Sequence, residues 1–311
     1  MGVLELLNLA NLPDRPLISI PLEHSSVALY IKREDRVHPE ISGNKFWKLW
    51  HNIHYYLHQK PKHPLLITFG GAFSNHIAAT AALGRLLKIP TIGIIRGEEW
   101  ATQWQDNPTL AKAYADGMRF QCVSRTTYRD KAAYTELLKK DFPEALIIPE
   151  GGSNALGVQG IQHMLNEETK TFDYLCTAVG TGGTVAGLSK YAAPHQQVLG
   201  FKVVNDTSLE AQVKTWSGRE NTTLIDAFGA GYGKISVALV DFINGFYQDY
   251  QQPLDPIYTG KMMMQLLQMI AQNKFPEGSR ILAFHTGGLQ GIIGANKMLK
   301  KQNRNLINIQ L

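Results

Sequence analysis

Two cysteines in 311 residues, Cys122 and Cys176, are too few for a disulfide framework. Both sit in apolar, strand-like segments far apart in sequence, with no metal-ligand spacing around them. Two buried thiols in a reduced compartment are expected. The chain also lacks any run of five like charges. Its formal net charge of +5 is scattered, which leaves no footprint for nucleic acid or an anionic membrane and suits a small anionic ligand equally well. The longest uncharged segment, residues 63 to 84, is broken by Gly-Gly and Ser-Asn-His, so it is no membrane span. The opening MGVLELLNLANLPDRPL carries Glu5 and no basic region, against a signal peptide. Leu6 stands where a myristoylation signal needs Ser or Thr. A cytoplasmic protein is expected. Repeats and low-complexity linkers are missing too.

What remains is a globular composition, 44% hydrophobic and 18% charged, in a chain long enough for two domains or one large α/β unit. From about residue 65, short apolar runs alternate with longer amphipathic ones. LLITF, TIGIIR, RFQCV, ALIIP, FDYLCTAV and QVLGFKVV read as strands. Between them, Asn75 to Lys88, DNPTLAKAYADG, YRDKAAYTELLKK, VQGIQHMLNEE and TVAGLSKYA read as helices. This succession predicts two doubly wound, mainly parallel α/β lobes with a site between them. The smaller lobe is expected over 48–155 and the larger over 1–47 plus 156–311.

Three glycine-rich turns stand at strand ends: TFGGAFSNH, AVGTGGTVAG and FHTGGLQG. In the second, Gly180, Gly182 and Gly183 let backbone approach an oxyanion, and the following helix start points its N–H groups at it. The hydroxyls of Thr181 and Thr184 add donors. The turn lacks both the Lys-Ser/Thr of a P-loop and the G-x-G-x-x-G of a dinucleotide site, so a single phosphate monoester fits best. Ser74 and Asn75 open the helix after the first turn, where either serves as an N-cap or as a ligand contact. Tyr232 in GAGYGKIS and Tyr258 in IYTGKMM each lie beside a glycine and read equally as packing or as site residues. Thr286 gives the third turn a neutral hydroxyl. His51, His54 and His58 sit at helical spacing without a fourth metal ligand, and a solvated or interface helix face is expected. In SGNKFWKL, Lys45 reads alone as a surface charge.

The set REDRVHPEISGNKFWKL, FGGAFSNHIAATAA, IPEGGSNALGVQG, VGTGGTVAGL, GAGYG, YTGK and HTGG, in that order, resembles the pyridoxal-phosphate-dependent D-cysteine desulfhydrase and 1-aminocyclopropane-1-carboxylate deaminase family. That family has the tryptophan-synthase-β-like fold of fold type II enzymes, and the match runs from about residue 8 to residue 295. The resemblance implies pyridoxal 5'-phosphate in the cleft, held mainly by the larger lobe, a small amino-acid substrate and a homodimer. It makes Lys45 the Schiff-base lysine and general base, and Lys48 a phosphate contact beside Asn44. The backbone from Gly180 to Thr184 becomes the phosphate cradle. Asn75 would hold the ring hydroxyl and Ser74 the substrate carboxylate, with His76, Tyr232 and Tyr258 also facing substrate. Either tyrosine would assist the departing thiolate.

Two positions bear on the substrate. The deaminase branch has Glu in the Y-x-G-K motif and Leu in the H-x-G-G motif. This chain has Thr259 and Thr286, the spelling of the desulfhydrase branch. A threonine beside the ring nitrogen leaves it neutral, which suffices for β-elimination, whereas a carboxylate strengthens the electron sink for ring opening. The resemblance therefore favours D-cysteine, giving pyruvate, hydrogen sulfide and ammonia. Another β-substituted amino acid, the cyclopropane substrate and a non-catalytic anion-binding role are the alternatives. Two departures from the family are Phe73 where Gln is common, expected to narrow the pocket, and Trp47 where many relatives carry Arg.

Overall fold

The computed structural model describes residues 12–23, 25–229, 231 and 233–310. Among the described residues ten strands form two sheets. In chain order they are β1 (Leu17–Ile20), β2 (Ala28–Lys32), β3 (Leu66–Gly70), β4 (Thr91–Arg96), β5 (Met118–Val123), β6 (Leu146–Ile148), β7 (Tyr174–Val179), β8 (Gln197–Lys202), β9 (Thr222–Asp226) and β10 (Arg280–Phe284). A four-stranded sheet, β5-β4-β3-β6, is parallel throughout. Its central strand β3 is buried at every residue, as a strand covered by helices on both faces must be. The six-stranded sheet runs β1-β2-β10-β7-β8-β9, and only the β1–β2 pair is antiparallel.

The order of the larger sheet matters for the site. Strand β10 enters between β2 and β7, so the turn after it lies between chain ends that are far apart in sequence. All four strands of the smaller sheet fall between residues 66 and 148, and the six others flank them. Helix α1 (Asn44–His58) runs unbroken through the 47/48 boundary. Its buried Phe46, Trp47, Leu49 and Ile53 share one core with Leu66 and Ala79 on one side and Val185 and Phe284 on the other.

The other helices that position the site are α2 (Asn75–Leu87), α3 (Gly183–Tyr191), α4 (Thr259–Ala271) and α5 (Gly291–Lys301). Two expected helices come out differently. YRDKAAYTELLKK is covered by two helices, Arg125–Arg129 and Lys131–Asp141, because Asp130 leaves helical geometry and caps the second through Ala133 N–H. VQGIQHMLNEE is not one helix either. Ala155–Gly160 is α-helical, Ile161–Met164 tightens to a 3₁₀ turn, and Leu165 is extended. There Gly160 packs so tightly that a Cβ would lie 1.9 Å from the Trp47 carbonyl. The Met164 carbonyl is held by Lys32 Nζ at 2.8 Å. Cys176 is buried, and burial raises its thiol pKa; Cys122, expected buried, is half-exposed. Among the described residues no helix is long and apolar enough to cross a membrane.

Candidate active site

The floor of the cleft begins at a tight approach. Gly43, with φ +63°, packs on the turn after β10, where a Cβ would fall 2.1 Å from the Thr286 carbonyl oxygen. Helix α1 starts at the next residue, and its first turn carries the chemistry. Asn44 donates through Nδ2 to Thr184 Oγ1 at 2.7 Å and accepts from Lys45 Nζ at 3.0 Å, tying the lysine to the glycine-rich turn. Burial lowers the Lys45 pKa to about 8 against the opposing pull of the Asp255 carboxylate. One turn on, Lys48 donates to the Gly151 carbonyl at 3.1 Å and Ser153 Oγ at 2.9 Å. Burial, and then the neighbouring Lys45, holds its pKa well below that of a free lysine.

Across from these lysines, β7 ends at Val179 and Gly180–Gly182 turn the chain into α3. Gly182 adopts φ +79°, a conformation open to glycine. Ser153 Oγ lies 2.6 Å from Thr181 Oγ1. A Cβ at Gly183 would sit 2.6 Å from that serine oxygen and 3.0 Å from Lys48 Nζ. The glycine therefore keeps open a recess ringed by two hydroxyls, an amine and the start of a nine-residue helix. Such a donor set suits a phosphate dianion.

The small-lobe wall is the turn after β3. Ser74 caps α2, its Oγ accepting from the His76 and Ile77 N–H groups at 3.2 and 3.3 Å. Asn75 Oδ1 accepts from Gln290 Nε2, just before α5, at 2.8 Å. His76 is buried beside Gly152, and neither ring nitrogen has a hydrogen-bond partner among the described residues. Burial, with Lys45 and Lys48 nearby, keeps that ring neutral. A buried imidazole facing a cleft with no partner of its own is a ready contact for a ligand.

The two threonines part company. Thr286 lines the cleft, but Thr259 does not. Thr259 is fully buried, its hydroxyl donating to Asp255 Oδ1 at 2.7 Å and accepting from Asp255 N–H at 2.9 Å. The Asp255 carboxylate also takes the N–H groups of Ile257, Tyr258 and Thr259 and so caps α4. Tyr258 lines the cleft with its ring against Gly180. Tyr232 lies outside the described residues. Lys261 of the same YTGK motif donates to the Phe228 and Gly231 carbonyls.

Together the walls enclose about 660 Å³ between the lobes, room for a cofactor and a small substrate. Phe73 does not narrow it: the ring is half-exposed, edge-on to Trp100 and against Gly294 of α5. Trp47 points away from the cleft, buried, with Nε1 donating to Glu34 at 2.7 Å and Arg15 over its ring. On the histidine face His58 is exposed and His51 and His54 are half-buried. His51 Nε2 lies 3.2 Å from His163 Nε2, and His54 packs on His58. Among the described residues no group of three or more ligands could hold a metal. Ser153, Asp255, Arg96 and Gln290 escaped the sequence reading, although Ser153 sits in the GGSN motif.

An anion recess, a desolvated lysine one helical turn from the lysine of that recess, and a neutral hydroxyl on the far wall define a pyridoxal-phosphate enzyme. The sequence model described as "Pyridoxal-phosphate dependent enzyme" matches residues 13–287, and the chain belongs to that family, in its D-cysteine desulfhydrase and 1-aminocyclopropane-1-carboxylate deaminase branch. It is 29% identical over 313 residues to the mitochondrial bifunctional D-cysteine desulfhydrase/1-aminocyclopropane-1-carboxylate deaminase of Arabidopsis thaliana, covering 91% of this chain and 75% of that one. It is 28% identical over 339 residues to the D-cysteine desulfhydrase of Klebsiella pneumoniae subsp. pneumoniae, covering 92% and 97%. The crystal structure of an ACC deaminase homologue superposes with a TM-score of 0.79 at 24% identity, over 96% of this chain and 98% of that one. That last likeness establishes the fold, two α/β lobes of fold type II.

Proposed function

We propose that this lyase removes the β-substituent of a small amino acid, and that D-cysteine is its substrate. The net reaction is D-cysteine plus water to pyruvate, ammonium and hydrogen sulfide. The observation that carries the choice is Thr286: the large-lobe wall offers the cleft a hydroxyl, while the carboxylate of Asp255 is consumed by the cap of α4. Bound in the cleft, pyridoxal phosphate supplies an aldehyde for the lysine and a ring that draws electrons from the α-carbon.

The protein's own groups do the rest. Lys48, Ser153, Thr181 and the start of α3 would hold the phosphate. Lys45 Nζ, already at the cleft floor and partly neutral near pH 8, takes the α-proton. The Cα–H pair becomes the new C=C bond, and the Cβ–S pair leaves with sulfur. The Tyr258 hydroxyl, on the cleft wall, assists by giving a proton to the departing sulfide. The same proposal includes a homodimer working in the cytoplasm, which sedimentation and fractionation would test.

Purified cofactor-loaded protein given D-cysteine should release sulfide and keto acid in equal amounts. Keto acid from aminocyclopropane carboxylate, with no sulfide from cysteine, would overturn the choice. Thr286→Val should lower kcat roughly tenfold, the loss of one hydrogen bond worth about 1.4 kcal/mol. An unchanged kcat would remove Thr286 from the argument.

A second reading rests on Arg96. Its guanidinium lies over Gly71, 3.3 Å from where a Cβ would stand, and lines the cleft. Nearby Arg125 and Lys131 are paired with Glu99 and Glu150, whereas Arg96 has no carboxylate partner among the described residues. A substituent with its own negative charge, such as the sulfonate of cysteate, would be drawn there. If it is the true substrate, its kcat/KM exceeds that of D-cysteine, and Arg96→Gln lowers it about tenfold or more while sparing D-cysteine.

A further inference from the structure

The geometry points to Gln290 as a positioning residue that sets which end of the Asn75 amide faces the ligand. Gln290 closes the turn from Thr286 and stands just before α5, on the large lobe, while Asn75 opens α2 on the small lobe. They are 215 residues apart in sequence, and Gln290 Nε2 donates to Asn75 Oδ1 at 2.8 Å. An amide has one acceptor and one donor end. With the oxygen engaged, Asn75 presents its Nδ2 donor.

The turn is shaped to take that amide. Gly288 has φ +100°, and a Cβ there would lie 2.8 Å from Asn75 Nδ2 and 3.0 Å from Asp255 Cγ. Only glycine lets the Thr286 turn close on Asn75 this way. The amide nitrogen is therefore set against Gly288, two residues past Thr286, on a residue that lines the cleft, and the ligand groups it would meet there are a ring hydroxyl or a substrate carboxylate. Both of those are oxyanions or acceptors, for which a donor is right and a carbonyl oxygen wrong.

Gln290 is exposed, and a hydrogen bond open to water adds little to folding stability. Its value lies in orientation. This separates the proposal from a merely structural role, because a carboxylate at the same place would accept where Gln donates. Gln290→Glu is expected to turn the Asn75 amide round, placing Oδ1 toward the ligand. Gln290→Ala only frees it to rotate.

The inference rests on pyridoxal phosphate occupying the cleft, and the test is a titration of wild type and both variants with the cofactor. Dissociation constants, the visible absorption band and the thermal midpoint of the cofactor-free protein are read together. Expected is a tenfold or greater loss of cofactor affinity with a shifted band for Gln290→Glu, and a twofold to threefold loss for Gln290→Ala, with cofactor-free midpoints equal to wild type. Equal affinities in the two variants, or midpoints that fall in step with affinity, would overturn the role of Gln290. A wild-type protein with no visible band would instead overturn the cofactor site beneath it.

Discussion

Lys45→Ala is expected to abolish turnover, by roughly 10⁴-fold or more, while leaving pyridoxal phosphate bound. The two effects separate because two lysines share the work. Among the described residues Lys45 is joined to the glycine turn through Asn44, and the anion recess of Lys48, Ser153 and Thr181 stands without it. Borohydride should therefore fix cofactor covalently to wild type and not to the variant, whose bound cofactor would still dialyse slowly. An active variant, or one whose cofactor borohydride still fixes, would end the assignment of Lys45.

The pH dependence follows from the same burial. With its pKa lowered to about 8, the Lys45 amine is mostly protonated at pH 6.5 and mostly neutral at pH 9.5. Covalent attachment of added cofactor should accelerate across that interval with a midpoint near 8. Asp255 opposes the shift, so Asp255→Asn should move the midpoint lower. Folding stability carries the matching sign. The unfolded chain binds a proton at this lysine that the folded one has lost, so the cofactor-free protein gains stability as pH rises from about 8 toward 10.5. Chemical denaturation of the cofactor-free protein at pH 8 and pH 9.5 would show it, and a flat response would mean the amine is not desolvated.

Much of this site was legible because its parts are local. Gly180 to Thr184 and Ser74–Asn75 are contiguous turns, each at the end of an apolar run, and their chemistry is written within a few residues. What stayed hidden depends on approach in space. Ser153 matters because the chain brings it to Thr181, and Gln290 because it meets Asn75. Thr259 was placed in the cleft by its motif, but an aspartate four residues earlier can claim the same hydroxyl, and Asp255 does. Trp47 is explained by helical phase. Lys45 and Lys48, three residues apart, share one face of α1, and position 47 turns away from Lys45 toward Glu34. The broken helix at 158–168 has the same kind of cause, since nothing local to Gly160 announces the Trp47 carbonyl packed upon it.

Lys48→Met is expected to weaken cofactor binding by about 10²- to 10³-fold, the loss of a charge-assisted contact worth roughly 3–4 kcal/mol in a dry recess. Its effect on the empty protein should have the opposite sign. Burial and Lys45 both act against a proton on Lys48, so the empty recess holds that lysine at a cost that a bound anion relieves. Methionine fills similar space without that cost, and Ser153 keeps Thr181 as its partner. The cofactor-free variant should therefore melt at or above wild type. In saturating cofactor the order reverses, because wild type gains stabilisation in proportion to the logarithm of cofactor concentration over its dissociation constant and the variant gains far less. Melting curves with and without cofactor read both signs at once. A variant that is less stable in both states would show Lys48 to be part of the scaffold, and one that binds cofactor like wild type would leave the recess to Ser153, Thr181 and the start of α3 alone.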